Sequence, residues 1–545
     1  MKRTASLVLL CSVACSSSAS KPAAPAPLSP ADQTAPSRPP AVSRTNPNVV
    51  EETETYYIER LPKSIYIKVD DRHVRNPIVT TPVEFFKEDD QYYYISVAKM
   101  LPEEKEAKRQ QAEQAAPRAS PGSTPQPRRA AGPTVPLSEF EDLSPERVAS
   151  TIRLEEVRST ALPSRGMWRA SFAIGDVNGD GIPDIVAPAP RMSEGKLHVW
   201  LGDGSGAFKE WPLSFTENGK PLSRLSVDYG GVAIGDIDGD GHMDIVSASH
   251  GGGMASLFGD GSGAFEAVRT GLPKRDFSSQ AVALVDADGD GRLDLVASRD
   301  VVDQQPDEPV DKMQVRVYLF LGRQKGWELR KEGLVGGFYS NSVTAWDYNG
   351  DGKQDVLTGS HYTGALTLLW KSMGDGTFTP VSFPEIEAYS YHFASVPGTF
   401  GTRRVSAFAD SYFMQGGAPD NARAAGITLY VFEDGKWAGH RLWRKKDPKS
   451  TVFGLAMGDL DGDGLEDLVF ADSDLHRVRV LFQAADGSFV EMSEKEEPVL
   501  DSPGQCVRLA DLDRDGRLDV VVSKTVVSAN PNENGGWNVY LNRRK

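Results

Sequence analysis

Between residues 171 and 524 the chain repeats one alternation of polar and apolar positions. A nine-residue acidic stretch runs into a four-residue apolar segment, and another short apolar run precedes it. The downstream segments read Asp-Ile-Val-Ala, Asp-Ile-Val-Ser, Asp-Leu-Val-Ala, Asp-Val-Leu-Thr, Asp-Leu-Val-Phe and Asp-Val-Val-Val. Runs this short and this rich in branched residues predict strands buried on both faces. Upstream, Phe172-Ala-Ile-Gly and Val282-Ala-Leu-Val predict a preceding strand. Each acidic stretch therefore joins two strands.

The acidic stretches share the pattern Asp-x-Asp/Asn-x-Asp-Gly-x-x-Asp. They place oxygen-bearing side chains at positions 1, 3, 5 and 9: Asp176, Asn178, Asp180 and Asp184; Asp236, Asp238, Asp240 and Asp244; Asp286, Asp288, Asp290 and Asp294. The later copies supply Asp347, Asn349, Asp351 and Asp355; Asp459, Asp461, Asp463 and Asp467; and Asp511, Asp513, Asp515 and Asp519. Calcium takes six to eight oxygen ligands in flexible geometry, and a glycine at position 6 permits the sharp turn around it. Acidic solvated turns without metal are the competing reading, but shared flanks in every copy favour about six calcium sites. An EF-hand needs a glutamate at position 12. Here that position holds Ala187, Ser247, Ala297, Thr358, Phe470 and Val522, so the EF-hand is excluded.

The copies recur at intervals of about 50 to 60 residues, a period that indicates a propeller or solenoid array. One gap, from Asp347 to Asp459, is nearly double and predicts a seventh unit without a metal loop. In that unit Val405–Asp410 is expected as a first strand, with 412–423 as an insert replacing the loop. Each unit should hold four strands, in the first unit near 171–175, 184–187, 196–201 and 208–212. Gly202-Asp-Gly-Ser-Gly-Ala-Phe208 and Gly259-Asp-Gly-Ser-Gly-Ala-Phe265 read as hairpin turns between third and fourth strands. The last unit offers only three strands, so 151–158 is expected to complete it and close the ring.

These units resemble the FG-GAP/VCBS repeats of bacterial surface and secreted proteins, related to the seven-bladed propeller of integrin α-subunits. The resemblance implies an all-β, seven-bladed β-propeller over 139–545 with calcium stiffening its blades. Six loops exceed the number that integrins carry, which leaves integrin-like ligand binding without support.

The net charge of −16 is largely accounted for if six calcium ions bind, and no basic stripe points to nucleic acid. Residues 1–15 combine a positive end, a short apolar core and Ser12-Val-Ala-Cys15, which resembles a bacterial lipobox. Acylation of Cys15 is expected, with ordinary secretion and cleavage near Ala14 as the alternative. Acylation would leave Cys506 without a disulfide partner and make a lipid anchor the link to the envelope. Residues 16–50 read as a disordered tether, 51–101 as a small β-rich segment, and 102–138 as a charged helix and Pro-rich linker.

Strand alternation puts the six acidic loops on one propeller face. The opposite face carries His250, His361, Arg191, Arg299, Asp300 and His476, with Tyr391 on the approach to the fifth blade. Ligand contact is expected there, by His250, His361, Arg299 and Tyr391. No His-Glu-x-x-His, Gly-x-Ser-x-Gly or phosphate-binding glycine loop occurs. The chain thus reads as a monomeric, extracytoplasmic binding or adhesion scaffold for protein or glycan. A carbohydrate-active enzyme of polysaccharide lyase type is the alternative, and an assembly component acting through 53–100 is a third reading.

Overall fold

The computed structural model describes residues 142–158, 161–169, 171–191, 193, 195–223, 225, 229–250, 253–273, 277–298, 316–323, 326–330, 334–335, 342–359, 369–381, 390–415, 423–445, 451–526 and 534–545, with short strands between 49 and 98. The chain divides into two compact units, 1–130 and 131–545. In the first, Val49–Glu52, Tyr56–Pro62, Tyr92–Ala98 and Lys87–Glu88 form one sheet. Ile67–Lys68, His73–Arg75 and Val83–Glu84 form a second. The lipobox with Cys15, the tether and the charged helix fall outside the described residues.

The second unit is a ring of seven antiparallel blades. Blade 1 comprises Ala173–Gly175, Asp184–Ala187, His198–Gly202 and Phe208–Glu210 in that order. Blades 2, 3 and 4 begin at Val232–Gly235, Ala281–Val285 and Val343–Trp346. Blade 5 is built from Ser390–Phe400, Val405–Gln415, Arg423–Glu433 and Lys436–Lys445, and blade 6 begins at Val452–Gly458. Blade 7 takes Gly504–Ala510, Asp519–Lys524 and Gly536–Arg544 from the end of the chain and Ile152–Val157 from before blade 1. The closing pair is antiparallel, with Val539 opposite Val157 and Arg544 opposite Ile152. The expected closure is therefore present.

Alternation along each second strand decides which neighbour it packs against. Ile185 and Ala187 face blade 7, meeting Val521 and Val539, while Val186 faces blade 2 and meets Ile245 and Leu257. Val296 packs towards blade 4 with Val356, and Leu295 and Ala297 pack back towards blade 2. Seven buried apolar clusters, one at each junction between neighbouring blades, are found among the described residues. Both faces of a second strand are covered, so the sequence there is apolar without a polar alternate. The first strands of blades 1, 2 and 4 are largely half-buried beside the ring axis, and fourth strands such as Phe208–Glu210 and Phe378–Pro380 turn residues to solvent.

Three features differ from the expectation. Val405–Gln415 is the second strand of blade 5, not the first. What stands in place of the metal loop there is the tight turn 401–404, whereas Tyr412 and Phe413 lie inside that second strand and 416–422 fall outside the described residues. The insert was misplaced because Ser390–Phe400 carries polar and small residues and lacks the branched run that marks the other first strands. Tyr412 lies opposite Gly426, where any Cβ would meet its ring within about 2.2 Å, so the ring covers the bare glycine. Blade 2 also gains a hairpin, Ser214–Glu217 with Lys220–Leu222, laid parallel on Ala264–Val268. Its Asn218-Gly219 turn has φ of 53° and 69°, the conformation for which Asn-Gly is selected.

Ile152 is 1% exposed within the cluster joining blades 6 and 7, whereas the neighbouring Arg153 side chain is 64% exposed. Ile152→Ala should cost about 2–4 kcal/mol in urea unfolding, and Arg153→Ala less than about 0.5. Equal, small effects would mean that the closing strand contributes little to holding the ring.

Candidate functional site

Each acidic loop is organised first by its own backbone. The position 1 carboxylate accepts the position 6 N–H in all six loops, at 2.7–3.1 Å. The position 5 carboxylate accepts the position 7 N–H at 2.8–3.1 Å. Position 6 glycines have φ between 80° and 89°. Position 4 also needs a positive φ, a requirement the sequence pattern had not revealed: five loops use glycine there, and the last holds Arg514 at 61°.

Position 9 differs from the others. Asp184, Asp244, Asp294, Asp355, Asp467 and Asp519 are fully buried. Each uses one carboxylate oxygen to accept the position 2 N–H of its own loop, as in Leu460 to Asp467 at 2.9 Å. The other oxygen accepts an N–H from the third strand of the same blade, as in Gln483 to Asp467 at 3.0 Å and Gly202 to Asp184 at 2.9 Å. One side chain thus ties loop, second strand and third strand together. Burial, reinforced by neighbouring loop carboxylates and opposed by these N–H groups, pushes Asp184, Asp244, Asp294, Asp355 and Asp519 up to about 6 and Asp467 to about 8.

Four loops bring three carboxylates together with oxygens within 4.8 Å of one another: Asp236, Asp238 and Asp244; Asp286, Asp288 and Asp290; Asp459, Asp461 and Asp467; Asp511, Asp513 and Asp519. The remaining two carry Asn178 and Asn349 at position 3 and so offer one charge fewer. Like charges this close repel at neutral pH unless a cation intervenes. An all-oxygen set of this kind fits a hard metal ion. The loops are not equivalent, however. Lys371 reaches Asp351 at 3.1 Å, Arg292 pairs with Asp290, and Arg543 reaches Asp513 at 2.5 Å and Asp515 at 2.9 Å. Around Asp459, Asp461, Asp463 and Asp467 no Lys or Arg lies within 4 Å among the described residues. That loop is therefore well prepared for a metal.

On the opposite face, of the predicted contact residues, His250 and the backbone of Tyr391 are described. The His250 ring bonds the Ser278 hydroxyl at 2.8 Å and packs on Tyr229, over which the Arg191 guanidinium sits at 5.3 Å. This small cluster is separate from the cavity on the ring axis, whose lining does not include His250. His476 has φ of 51°, and burial holds its pKa below the usual value. Tyr391 lies in the first strand of blade 5 opposite Phe413. His361, Arg299 and Asp300 fall outside the described residues.

Residues 176–247, 236–297 and 459–522 match the FG-GAP-like repeat family. The chain carries FG-GAP-like repeats. A stretch of 84 residues is 36% identical to integrin alpha-4 of Xenopus laevis, covering 15% of this chain and 8% of that protein's length. Among solved structures, the biofilm matrix protein Bap1 of V. cholerae is similar at 14% identity, with a TM-score of 0.37 over 71% of this chain and 91% of the other. A hypothetical selenium-binding protein from Sulfolobus tokodaii is similar at 9% identity, with a TM-score of 0.39 over 66% and 87%. Each of the three matched stretches begins at one acidic loop and runs through the next into the strand that follows it, so each match spans a junction between neighbouring blades.

The two roles of the aspartates are separable. In the presence of a chelator, Asp467→Ala should cost about 2–5 kcal/mol, because two buried N–H groups lose their acceptor. Asp461→Asn should change stability by less than about 1 kcal/mol under the same conditions, since it mainly relieves like-charge repulsion. Urea unfolding of both variants in chelator is the measurement; equal losses would show that position 9 has no special role in the repeat.

Proposed function

We propose that this propeller is a calcium-stiffened binding or adhesion scaffold, exported from the cell, with the face opposite the acidic loops directed at a protein or glycan. The observation that carries the metal assignment is the 459–467 loop, where three carboxylates converge and none pairs with a Lys or Arg among the described residues. Calcium suits the set better than magnesium: the donors are oxygens on a flexible loop, and magnesium demands a near-octahedral shell. In three other loops an arginine or lysine already pairs with a loop carboxylate, which would weaken the same site there. Export is supported by the stretch similar to integrin alpha-4, and acylation of Cys15 would supply the attachment. Among the described residues no helix is long and apolar enough to cross a membrane. The scaffold reading is preferred to a lyase because His250 is packed against Ser278 and Tyr229, away from the axial cavity.

Calcium modules outside the cell bind with constants of about 0.1–1 mM. At ~1 mM calcium, a site at the tight end of that range adds about 1.4 kcal/mol. Adding calcium to chelator-treated protein should therefore raise the melting temperature in a concentration-dependent way. Asp461→Asn should reduce both that rise and the stoichiometry by calorimetry. Calcium uptake of zero, or an unchanged melting temperature, would remove the metal from the account and leave the aspartates as hydrogen-bonding groups alone.

A further inference from the structure

The first strands of the blades converge on a cavity of about 310 Å³ at the ring axis. In a chain of net charge −16, no aspartate or glutamate among the described residues lines it, while Arg169 and Arg508 do. Its lining is drawn mainly from the first strands, and in blades 6 and 7 it runs along them as far as Met457 and Leu509.

Arg508 is held in position there. One terminal N–H donates to the Ser171 hydroxyl at 2.8 Å and another to the Val507 carbonyl at 2.9 Å. Its guanidinium sits 5.7 Å from the centre of the Phe172 ring. Among the described residues no carboxylate lies within 4 Å of it. A guanidinium carries five N–H donors, so three remain for a ligand, on a group whose plane is already fixed. Elsewhere on the wall, Phe393 and Phe453 meet edge to face at 4.7 Å and offer an apolar surface. Volume, charge and lining together describe a small-molecule pocket at the lower end of the usual range, about 300–1,000 Å³.

We propose that the axial cavity binds a small organic carboxylate, with its two oxygens on Arg508 and its ring body against the Phe393–Phe453 wall. A planar carboxylate matches the guanidinium fork, and the apolar wall selects an organic body over a free inorganic ion. The site shares no residue with the acidic loops and goes beyond the scaffold reading, so either can fail without the other.

The test is calorimetric titration of the full chain in calcium-containing buffer with benzoate and glucuronate, against benzamide and glucose as neutral counterparts and inorganic phosphate alone. At least one carboxylate should bind about tenfold or more tightly than its neutral counterpart and than phosphate. Arg508→Gln should lose about tenfold in affinity, Arg508→Lys should lose less, and added salt should weaken binding. Should Arg508→Gln fail to fold, two further measurements decide. Ser171→Ala should weaken binding, and the bound carboxylate should slow alkylation of Cys506, a residue of the cavity wall, as read by peptide mass in the unaltered protein. Absence of binding by both carboxylates, equal binding of the neutral counterparts or of phosphate, an unchanged affinity in folded Arg508→Gln, or no protection of Cys506 would each overturn the proposal.

Discussion

The structure depends on one repeated bond pair: a buried aspartate that accepts an N–H from its own loop through one oxygen and an N–H from the third strand through the other. In an otherwise apolar blade interior an ionised carboxylate is costly unless it is hydrogen-bonded. These two bonds offset part of that cost and at the same time fix where the second strand starts. Because strand faces alternate residue by residue, fixing that start also fixes which branched side chains face each neighbouring blade. Ile185 turns to blade 7 and Val186 to blade 2 only in this register. The polar loop thereby determines the packing of the apolar core.

Blade 5 shows what is needed when that bond pair is missing. Its strands run to 10 or 11 residues, against two to nine in the other blades, which adds backbone pairing where the tie is missing. Inside the blade, Asp410 accepts from the Ser395 hydroxyl at 2.7 Å and bonds the His392 ring at 2.5 Å, so a buried carboxylate is again fully engaged. Its turn borrows partners from blade 6: the Thr399 N–H donates to Glu466 at 2.7 Å, and Arg404 donates to the Gly464 carbonyl at 2.9 Å. Loss of the acidic loop was therefore compensated by length and by a neighbour.

Much of this was legible in the sequence because the repeat states its requirements locally. The acidic pattern, the branched run after it and the missing fourth strand were sufficient to predict seven blades and the closing strand Ile152–Val157. What the sequence hid was relational. A position 9 aspartate reads as one more metal ligand until Gln483 or Gly202 is seen donating to it from a strand distant in sequence. Arg543 reads as a terminal charge until strand pairing carries it to Asp513 and Asp515. Blade 5 was misread for a local reason: Ser390–Phe400 lacks the branched run that marks the other first strands. The parallel hairpin on blade 2 did leave a local sign, Asn218-Gly219, whose meaning rested on knowing that the strands around it had a free edge to join.

The 459–467 loop unites these points. Asp467 is raised to about 8 by burial, the largest of the six shifts, and Asp461 is raised by burial with Asp463 beside it. A cation in this loop would offset the repulsion among its converging carboxylates. The same loop presents Gly464 and Glu466 to Arg404 and Thr399, so any stiffening of it passes directly to the turn of blade 5. On the other side, Asn542 of blade 7 donates to the Leu460 carbonyl at 2.7 Å. One loop therefore braces three consecutive blades, including the blade without a loop and the blade that closes the ring. Metal affinity concentrated at this position would stabilise the part of the propeller where covalent continuity ends and non-covalent closure has to hold.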